Sequence, residues 1–224
     1  MDLMQAMKER RSVRSFTDQK IEGETLSQLK QSIALCNRES GLSIQLCLNE
    51  PTAFSGMMAR YGKFTNVKNY IVLAGKKGEG FEEKCGYYGE KVVLAAQQLG
   101  LNTCWVAMTF SKSKGKSAAK LNADDKMLMV IAVGYGTTMG AKHAVKPISE
   151  LSHVTGDMPA WFLGGMEATQ LAPTAMNQQK FLIELNGNTV KAKISGLAFY
   201  TKVDLGIVKY HFEIGAGKDN FKWA

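Results

Sequence analysis

Cysteine, proline and histidine are scarce in this chain: it has four, four and three of them among 224 residues. Cys36, Cys47, Cys85 and Cys104 show no Cys-x-x-Cys spacing and sit among apolar neighbours. They read as reduced, mostly buried thiols, not as a disulfide framework or a zinc site. His143, His153 and His211 lack metal-ligand spacing, so no metal is expected. No run approaches the roughly 20 apolar residues of a membrane-spanning helix. Met1-Asp2-Leu3-Met4 lacks the charged-then-apolar layout of a secretion signal, and a cytoplasmic protein without membrane contact is expected. The glycines form neither a Walker loop nor a Gly-x-Gly-x-x-Gly turn after a strand. Acidic residues are in deficit: 28 Lys+Arg against 20 Asp+Glu leave a formal charge of +8, which attracts anions. The lysines are spread over turns and helix faces, as in Lys112-Ser113-Lys114-Gly115-Lys116, and are not interleaved with aromatics. That spread argues against a nucleic-acid partner and suits a phosphate-bearing cofactor and a dinucleotide donor. A hydrophobic content of 45% excludes disorder and suffices for one large α/β domain or two small ones sharing a core.

Local patterning predicts an α+β chain. Asp2 is placed to N-cap a helix through about Glu9, with Leu3, Met4, Ala6 and Met7 on one face. A second helix, from Thr25 to about Asn37, is stopped by Ser40-Gly41. Leu42 to Leu48 alternates as a strand, whereas Asn49 to Lys68 has little period and reads as a loop or broken helix over a pocket. Tyr70 to Gly75 is a buried strand. Glu79 to Leu99 is a long central helix, apolar almost all round at Val92 to Ala96 and ended by Gly100. Thr103 to Met108 and Met127 to Val133 read as buried strands, with a short surface helix from Ser113 to Leu121 between them. Pro159 opens a helix to about Leu171, and Phe181 to Leu185 and Thr189 to Ile194 flank Asn186-Gly187 as a hairpin. Val203 to Ile214 is a final helix, and a short strand ends near Trp223. The layout also suggests an internal duplication. Leu29 to Asn49 parallels Met166 to Asn186, and Tyr88-Gly89-Glu90-Lys91-Val92 parallels Leu205-Gly206-Ile207-Val208-Lys209.

Two stretches carry the chemistry. Arg10-Arg11-Ser12-Val13-Arg14-Ser15-Phe16 gathers guanidinium forks and a hydroxyl, the donor set that suits a phosphate dianion. Taken alone it also reads as an exposed basic helix end. In Ala172-Pro173-Thr174-Ala175-Met176-Asn177-Gln178-Gln179 the proline stops a helix, small residues let backbone approach a flat ligand, and Asn177 offers both donor and acceptor. Taken alone, that is a helix-stop signal. Between them, Ala95-Ala96-Gln97-Gln98-Leu99-Gly100-Leu101-Asn102-Thr103-Cys104-Trp105-Val106 runs an alanine-rich helix through a glycine turn into a strand. Together the three resemble the flavin-contacting segments of the nitroreductase family. In ordinary members the first two lie a few dozen residues apart; here most of the chain separates them.

The resemblance implies an α+β, nitroreductase-like fold of two pseudo-symmetric subdomains around a mixed or antiparallel sheet and a central long helix. It is similar to a fused pseudo-dimer branch in which one polypeptide holds two nitroreductase-like subdomains. Residues 1–140 would carry the arginine segment and 155–224 the proline segment, with 141–154 as linker and both halves in one compact unit. A monomer is favoured, with a homodimer open through aromatics near Trp161 and Phe162, expected to be exposed. The implied cofactor is one FMN. Arg10 and Ser12 would serve its phosphate and ribityl end, with Arg11 part of the same donor set, and Arg14 the N1 and O2 edge, where a cation stabilises reduced flavin. Thr103, Cys104 and Trp105 would run along the ring, Lys142 and Lys146 would add cationic contacts, and Pro173, Thr174, Ala175, Met176 and Asn177 would form the opposite wall. Lys180 and Phe181 depart from the family's proline and tryptophan, so contacts past Gln178 stay open. A second flavin site is not expected, because His153 to Ala160 contains no arginine. The implied activity is ping-pong hydride transfer from NADH or NADPH through flavin N5 to a nitroaromatic or quinone-like electrophile, with no protein nucleophile. A non-catalytic flavin sensor, a relative without cofactor, and another flavin reaction such as reductive dehalogenation remain as alternatives.

Overall fold

The computed structural model describes residues 1–224. In chain order the elements are α1 (Leu3–Glu9), α2 (Gly23–Ser40), β1 (Gln45–Cys47), α3 (Met57–Tyr61), β2 (Tyr70–Lys76), α4 (Phe81–Gln98), β3 (Asn102–Val106), α5 (Lys112–Ala118) and β4 (Asp125–Gly134). There follow α6 (Ile148–Leu151), β5 (Ser152–Thr155), α7 (Ala160–Thr169), β6 (Phe181–Asn186), β7 (Thr189–Ile194), α8 (Thr201–Ala216) and β8 (Lys222–Trp223). The chain is α+β and forms two compact units. The first comprises Met1–Lys8, Glu82–Glu90 and His143–Ala224; the second comprises Glu9–Phe81 and Lys91–Lys142.

The second unit is built on an antiparallel sheet in the order β1-β2-β4-β3. β4 is its central strand: Ile131 pairs with Ile71 on one side and with Trp105 on the other. Burial on both faces explains why Val130 to Val133 is unbroken Val-Ile-Ala-Val. Over it, Phe54 meets Phe64 edge-on at 5.2 Å and stacks on Phe110 at 6.0 Å, which fixes the broken segment after β1. That segment is a short 3-10 turn, Pro51–Phe54, followed by α3. The Ser40-Gly41 stop works as expected: Gly41 takes a left-handed φ of 70° and its N–H returns to the Asn37 carbonyl.

In the first unit the sheet order is β5-β6-β7-β8, with β5 parallel to β6 and β7 parallel to β8. The hairpin turns one residue later than its sequence suggests. Asn186 pairs with Thr189, so Gly187-Asn188 forms the loop, with Gly187 at a φ of 60° in first position. Asp2 caps α1 as expected, its Oδ1 accepting from the Gln5 N–H at 2.7 Å. The segment 141–154 contains α6 and most of β5, whose pairing with β6 depends on residues thirty positions away. Trp161 and Phe162 do not form an exposed patch. Phe162 is fully buried, and Trp161 stacks on Phe221 at 5.9 Å, because the end of the chain folds back over α7 and α8.

Glycines set the helix crossings of this unit. A methyl on Gly86 would fall inside the Val203 carbonyl oxygen, and one on Gly206 inside the Glu83 carbonyl oxygen, so α4 and α8 pass backbone on backbone. A methyl on Gly164 would lie 2.9 Å from the Gly215 oxygen where α7 meets α8. Around the α4–α8 crossing, His211 and Glu90 are fully buried: Nε2 lies 2.9 Å from Glu90 Oε1, and Nδ1 3.1 Å from the Ala168 carbonyl. Glu213 accepts from Tyr87 Oη at 2.5 Å and Trp223 Nε1 at 2.8 Å, tying β8 to both helices.

Candidate functional site

The arginine segment leaves α1 as extended chain. Val13 N–H donates to the Thr103 carbonyl at 3.0 Å, and Ser12 and Thr103 pair as a parallel bridge. Farther on, Phe16 N–H donates to the Thr65 carbonyl and Thr17 N–H to the Tyr135 carbonyl. Residues 12–17 thus run as extended chain joined by isolated bridges, Ser12 to Thr103 of β3, Ser15 to Thr65, and Phe16 to Gly136 just past β4. Two glycines after β4 permit this: a Cβ at Gly136 would lie 2.8 Å from Val13 Cγ1, and one at Gly140 would lie 2.8 Å from Arg11 Cβ. Sequence separation of some ninety residues hides this arrangement, yet it brings the arginines to the Thr103-Cys104-Trp105 strand.

Within that cluster Arg10 is 2% exposed, whereas Arg14 is exposed. The Arg11 Nη1 donates to the Arg10 carbonyl at 2.6 Å, so part of its fork is spent locally. The Cys104 thiol feels burial first, which raises its pKa above the usual value against the opposing pull of Arg14, Arg10 and the Ser12 hydroxyl. It remains a neutral thiol and no nucleophile. Trp105 is half-buried and pairs with Ile131 in the sheet. The Thr103 hydroxyl is buried with no hydrogen-bond partner, as is the Gln97 amide oxygen at the end of α4. Buried polar atoms left unsatisfied cost about 1–3 kcal/mol each, and the cost is removed when a ligand supplies the partner. A cationic segment, hydroxyls at Ser12 and Thr103 and an unmet amide oxygen are the donor and acceptor set that a phosphorylated, hydrogen-bonding flavin needs, so these residues fit FMN. A shallow, open pocket of about 440 Å³ elsewhere in the unit is lined by Glu50, Thr52, Ser113, Lys114, Ser117 and Ala118, none of them an expected flavin contact.

In the first unit, Pro173 to Gln179 follow α7 as a turn with three non-glycine residues in the left-handed region: Met176 at 52°, Asn177 at 55° and Gln179 at 47°. Each costs on the order of 1 kcal/mol and persists only where surrounding bonds over-determine it. Asp204, near the start of α8, supplies two of those bonds. Its Oδ1 accepts from the Ala175 N–H at 2.9 Å and its Oδ2 from Gln178 Nε2 at 2.5 Å. Burial pushes the Asp204 carboxyl up to about 6, with the Gln178 amide and Ala175 N–H pulling the other way. Thr174 Oγ1 accepts from the Gln179 N–H. The Asn177 amide nitrogen, expected to face a ligand, donates to the Ala144 carbonyl at 2.8 Å, and Met176 is 95% exposed. Lys146 lies beside this turn, its N–H donating to Gln179 Oε1 at 2.9 Å. Lys142, in the second unit, is exposed. Sequence reading named Gln178 and Gln179 within the proline segment but missed Asp204 and the bonds that hold the turn. An aspartate in the first turn of a helix is ordinarily a partner of the macrodipole, and no local signal marks its contacts some thirty residues back.

A family model described as "Putative TM nitroreductase" matches residues 2–216. The fold is similar to that of a Thermotoga maritima nitroreductase-like protein at a TM-score of 0.65 and 22% identity, over 98% of this chain and 85% of the other. A Desulfovibrio desulfuricans protein of the same description, solved in complex with FMN, aligns at a TM-score of 0.54 and 19% identity, over 67% of this chain and 94% of its own. A Parabacteroides distasonis protein described as an NADH dehydrogenase/NAD(P)H nitroreductase gives 0.53 and 20%, over 67% and 96%. No curated protein matches by sequence.

Proposed function

The chain belongs to the nitroreductase family, and from that premise we propose that it is an FMN-dependent oxidoreductase that takes hydride from NADH or NADPH and reduces flat electrophiles such as nitroaromatics or quinones. The observation that carries the reading is the pairing of the arginine segment with Thr103, which assembles cations, hydroxyls and an unsatisfied buried hydroxyl in one unit. When bound, FMN supplies the hydride-accepting and hydride-donating centre of a ping-pong cycle. Arg10 and Ser12 would hold the phosphate and ribityl end, with Arg11 beside them, and Arg14 the pyrimidine edge. Thr103, Cys104 and Trp105 would line the ring. Pro173, Thr174, Ala175, Met176 and Asn177 would contribute the second set of contacts, and Lys142 and Lys146 further positive charge. Cys104, held neutral, keeps a nucleophile away from the electrophile.

We also propose that the chain is a fused pseudo-dimer, with 1–140 and 155–224 as the duplicated halves joined through 141–154, and that it acts as a monomer in the cytoplasm. Support comes from the reciprocal contact at the α4–α8 crossing: Gly86 meets Val203 while Gly206 meets Glu83, the pattern of an isologous interface. That crossing matches Gly206 with Gly86, three residues from the Gly89 of the sequence parallel. The functional reading is tested by the absorbance of the purified protein and its response to NADH under anaerobic conditions. Flavin bands that bleach with NADH or NADPH and return on adding a quinone support it; a protein that takes up no FMN contradicts it.

A further inference from the structure

The turn that carries Pro173 to Asn177 is held by a residue outside the three segments that carry the family resemblance. Asp204 is 4% exposed, and its carboxylate accepts from both ends of the strained segment, from the Ala175 N–H through one oxygen and from the Gln178 amide through the other. Gln178 Nε2 reaches the Phe199 carbonyl as well, so the same link anchors the loop leading into α8. Between those two bonds lie Met176 and Asn177, both left-handed, in a conformation that would not persist without an external clamp. An ionised carboxylate satisfies two donors at once. A protonated one loses that charge and one of its acceptor sites, so the bonds from the Ala175 N–H and the Gln178 amide both weaken.

We propose that the ionised Asp204 carboxylate is the positioning residue that holds the Ala175–Gln178 turn in the shape that receives the flavin, so that adding a proton to it relaxes the turn and weakens cofactor retention. This rests on the flavoprotein reading and deepens it. No compensating cation offsets the proton. α8 packs against α4, α7, β6 and β7, and α4 brings Glu83 and Glu90, which pair with Lys209 and His211; burial, the Gln178 amide and the Ala175 N–H account for the charge state of the Asp204 carboxyl, and none of these charged side chains enters. The neighbouring Lys180 spends its ammonium on the Leu197 carbonyl. With the carboxyl titrating at about 6, binding restricted to the ionised form weakens about tenfold between pH 7 and pH 5.

The test is the FMN dissociation constant of the full chain between pH 5 and pH 8, for wild type and Asp204→Asn. The FMN phosphate itself titrates near pH 6 and acts equally on both proteins, so the ratio of the two constants is the readout. Asparagine places a fixed donor where the proton would be. The variant therefore binds FMN more weakly than wild type at pH 7.5, and that difference shrinks by about tenfold towards pH 5. Parallel profiles overturn the role of Asp204 and leave the flavoprotein reading standing; absence of FMN binding by wild type at any pH overturns both. Should Asp204→Asn fail to fold, the Ala175 amide proton of the wild-type chain gives the answer by NMR. A chemical shift that titrates near pH 6 supports the clamp, and one that does not move overturns it.

Discussion

Replacing Gly206 by alanine sets two effects of opposite sign against each other. On helix propensity alone, alanine in the middle of α8 would stabilise the protein by about 1 kcal/mol. The crossing with α4 decides otherwise. The new methyl would lie 2.7 Å from the Tyr87 nitrogen and 2.9 Å from the Glu83 carbonyl carbon, and closer still to the Glu83 oxygen. Carbon contacts settle at about 3.5–4.0 Å, so the two backbones must part by about 1 Å. A gap of that size forfeits a quarter to a half of the dispersion energy across the contact, and backbone cannot rotate away as a side chain would. Overpacking of this kind costs about 1–3 kcal/mol. Separation also stretches the buried His211–Glu90 contact, which joins the same two helices. Overpacking less the propensity gain leaves a net loss of up to about 2 kcal/mol, to which the stretched His211–Glu90 contact adds. Urea unfolding of Gly206→Ala should show a lowered midpoint at unchanged slope. Gly86→Ala should behave alike, and the double variant should lose less than the sum, since one separation accommodates both methyls. A Gly206→Ala protein as stable as wild type, or more so, would refute the backbone-on-backbone crossing.

Further outcomes follow from the buried groups. Removing either partner of the His211–Glu90 pair, as in Glu90→Ala, should cost about 3–5 kcal/mol in chemical denaturation. Glu90→Gln, which lets a neutral imidazole accept from the new amide, should cost far less. Burial raises the pKa of Cys36 to about 11 and of Cys85 to about 12, and raises those of Cys47 and Cys104 as well. At pH 8 a thiol reagent should therefore label none of the four in the native protein and all of them in denaturant. The folded Asp204 carboxyl titrates at about 6 against an ordinary value of 3.8, so the native state binds that proton more tightly than the unfolded chain. That contribution to stability should grow as pH falls from about 6 towards 4, and a pH series of midpoints should lose this rise in Asp204→Asn.

Features written in a few consecutive residues were legible in the sequence. The Asp2 cap, the Ser40-Gly41 stop, the glycine end of α4 and the Val-Ile-Ala-Val core of β4 need only local propensity and burial, and the structure places each as read. Where partners lie far apart in the chain, the reading stopped short. β5 exists because it pairs with β6, Phe162 is buried where Phe212 of α8 meets it, and the crossing glycine is Gly86 because it meets Val203. At the candidate site, composition marked the arginines and the proline turn. Neither the strand pairing of Ser12 with Thr103 nor the hold of Asp204 on Ala175 leaves a local trace, since a polar residue looks the same whether it faces water or a backbone donor.

Calorimetric titration of FMN into the flavin-free chain tests the central claim most directly. One arginine segment and one proline-threonine segment per polypeptide predict saturation at one FMN per chain, with the yellow complex surviving gel filtration. No heat of binding and no retained colour, or two equivalents bound with equal affinity, would contradict it.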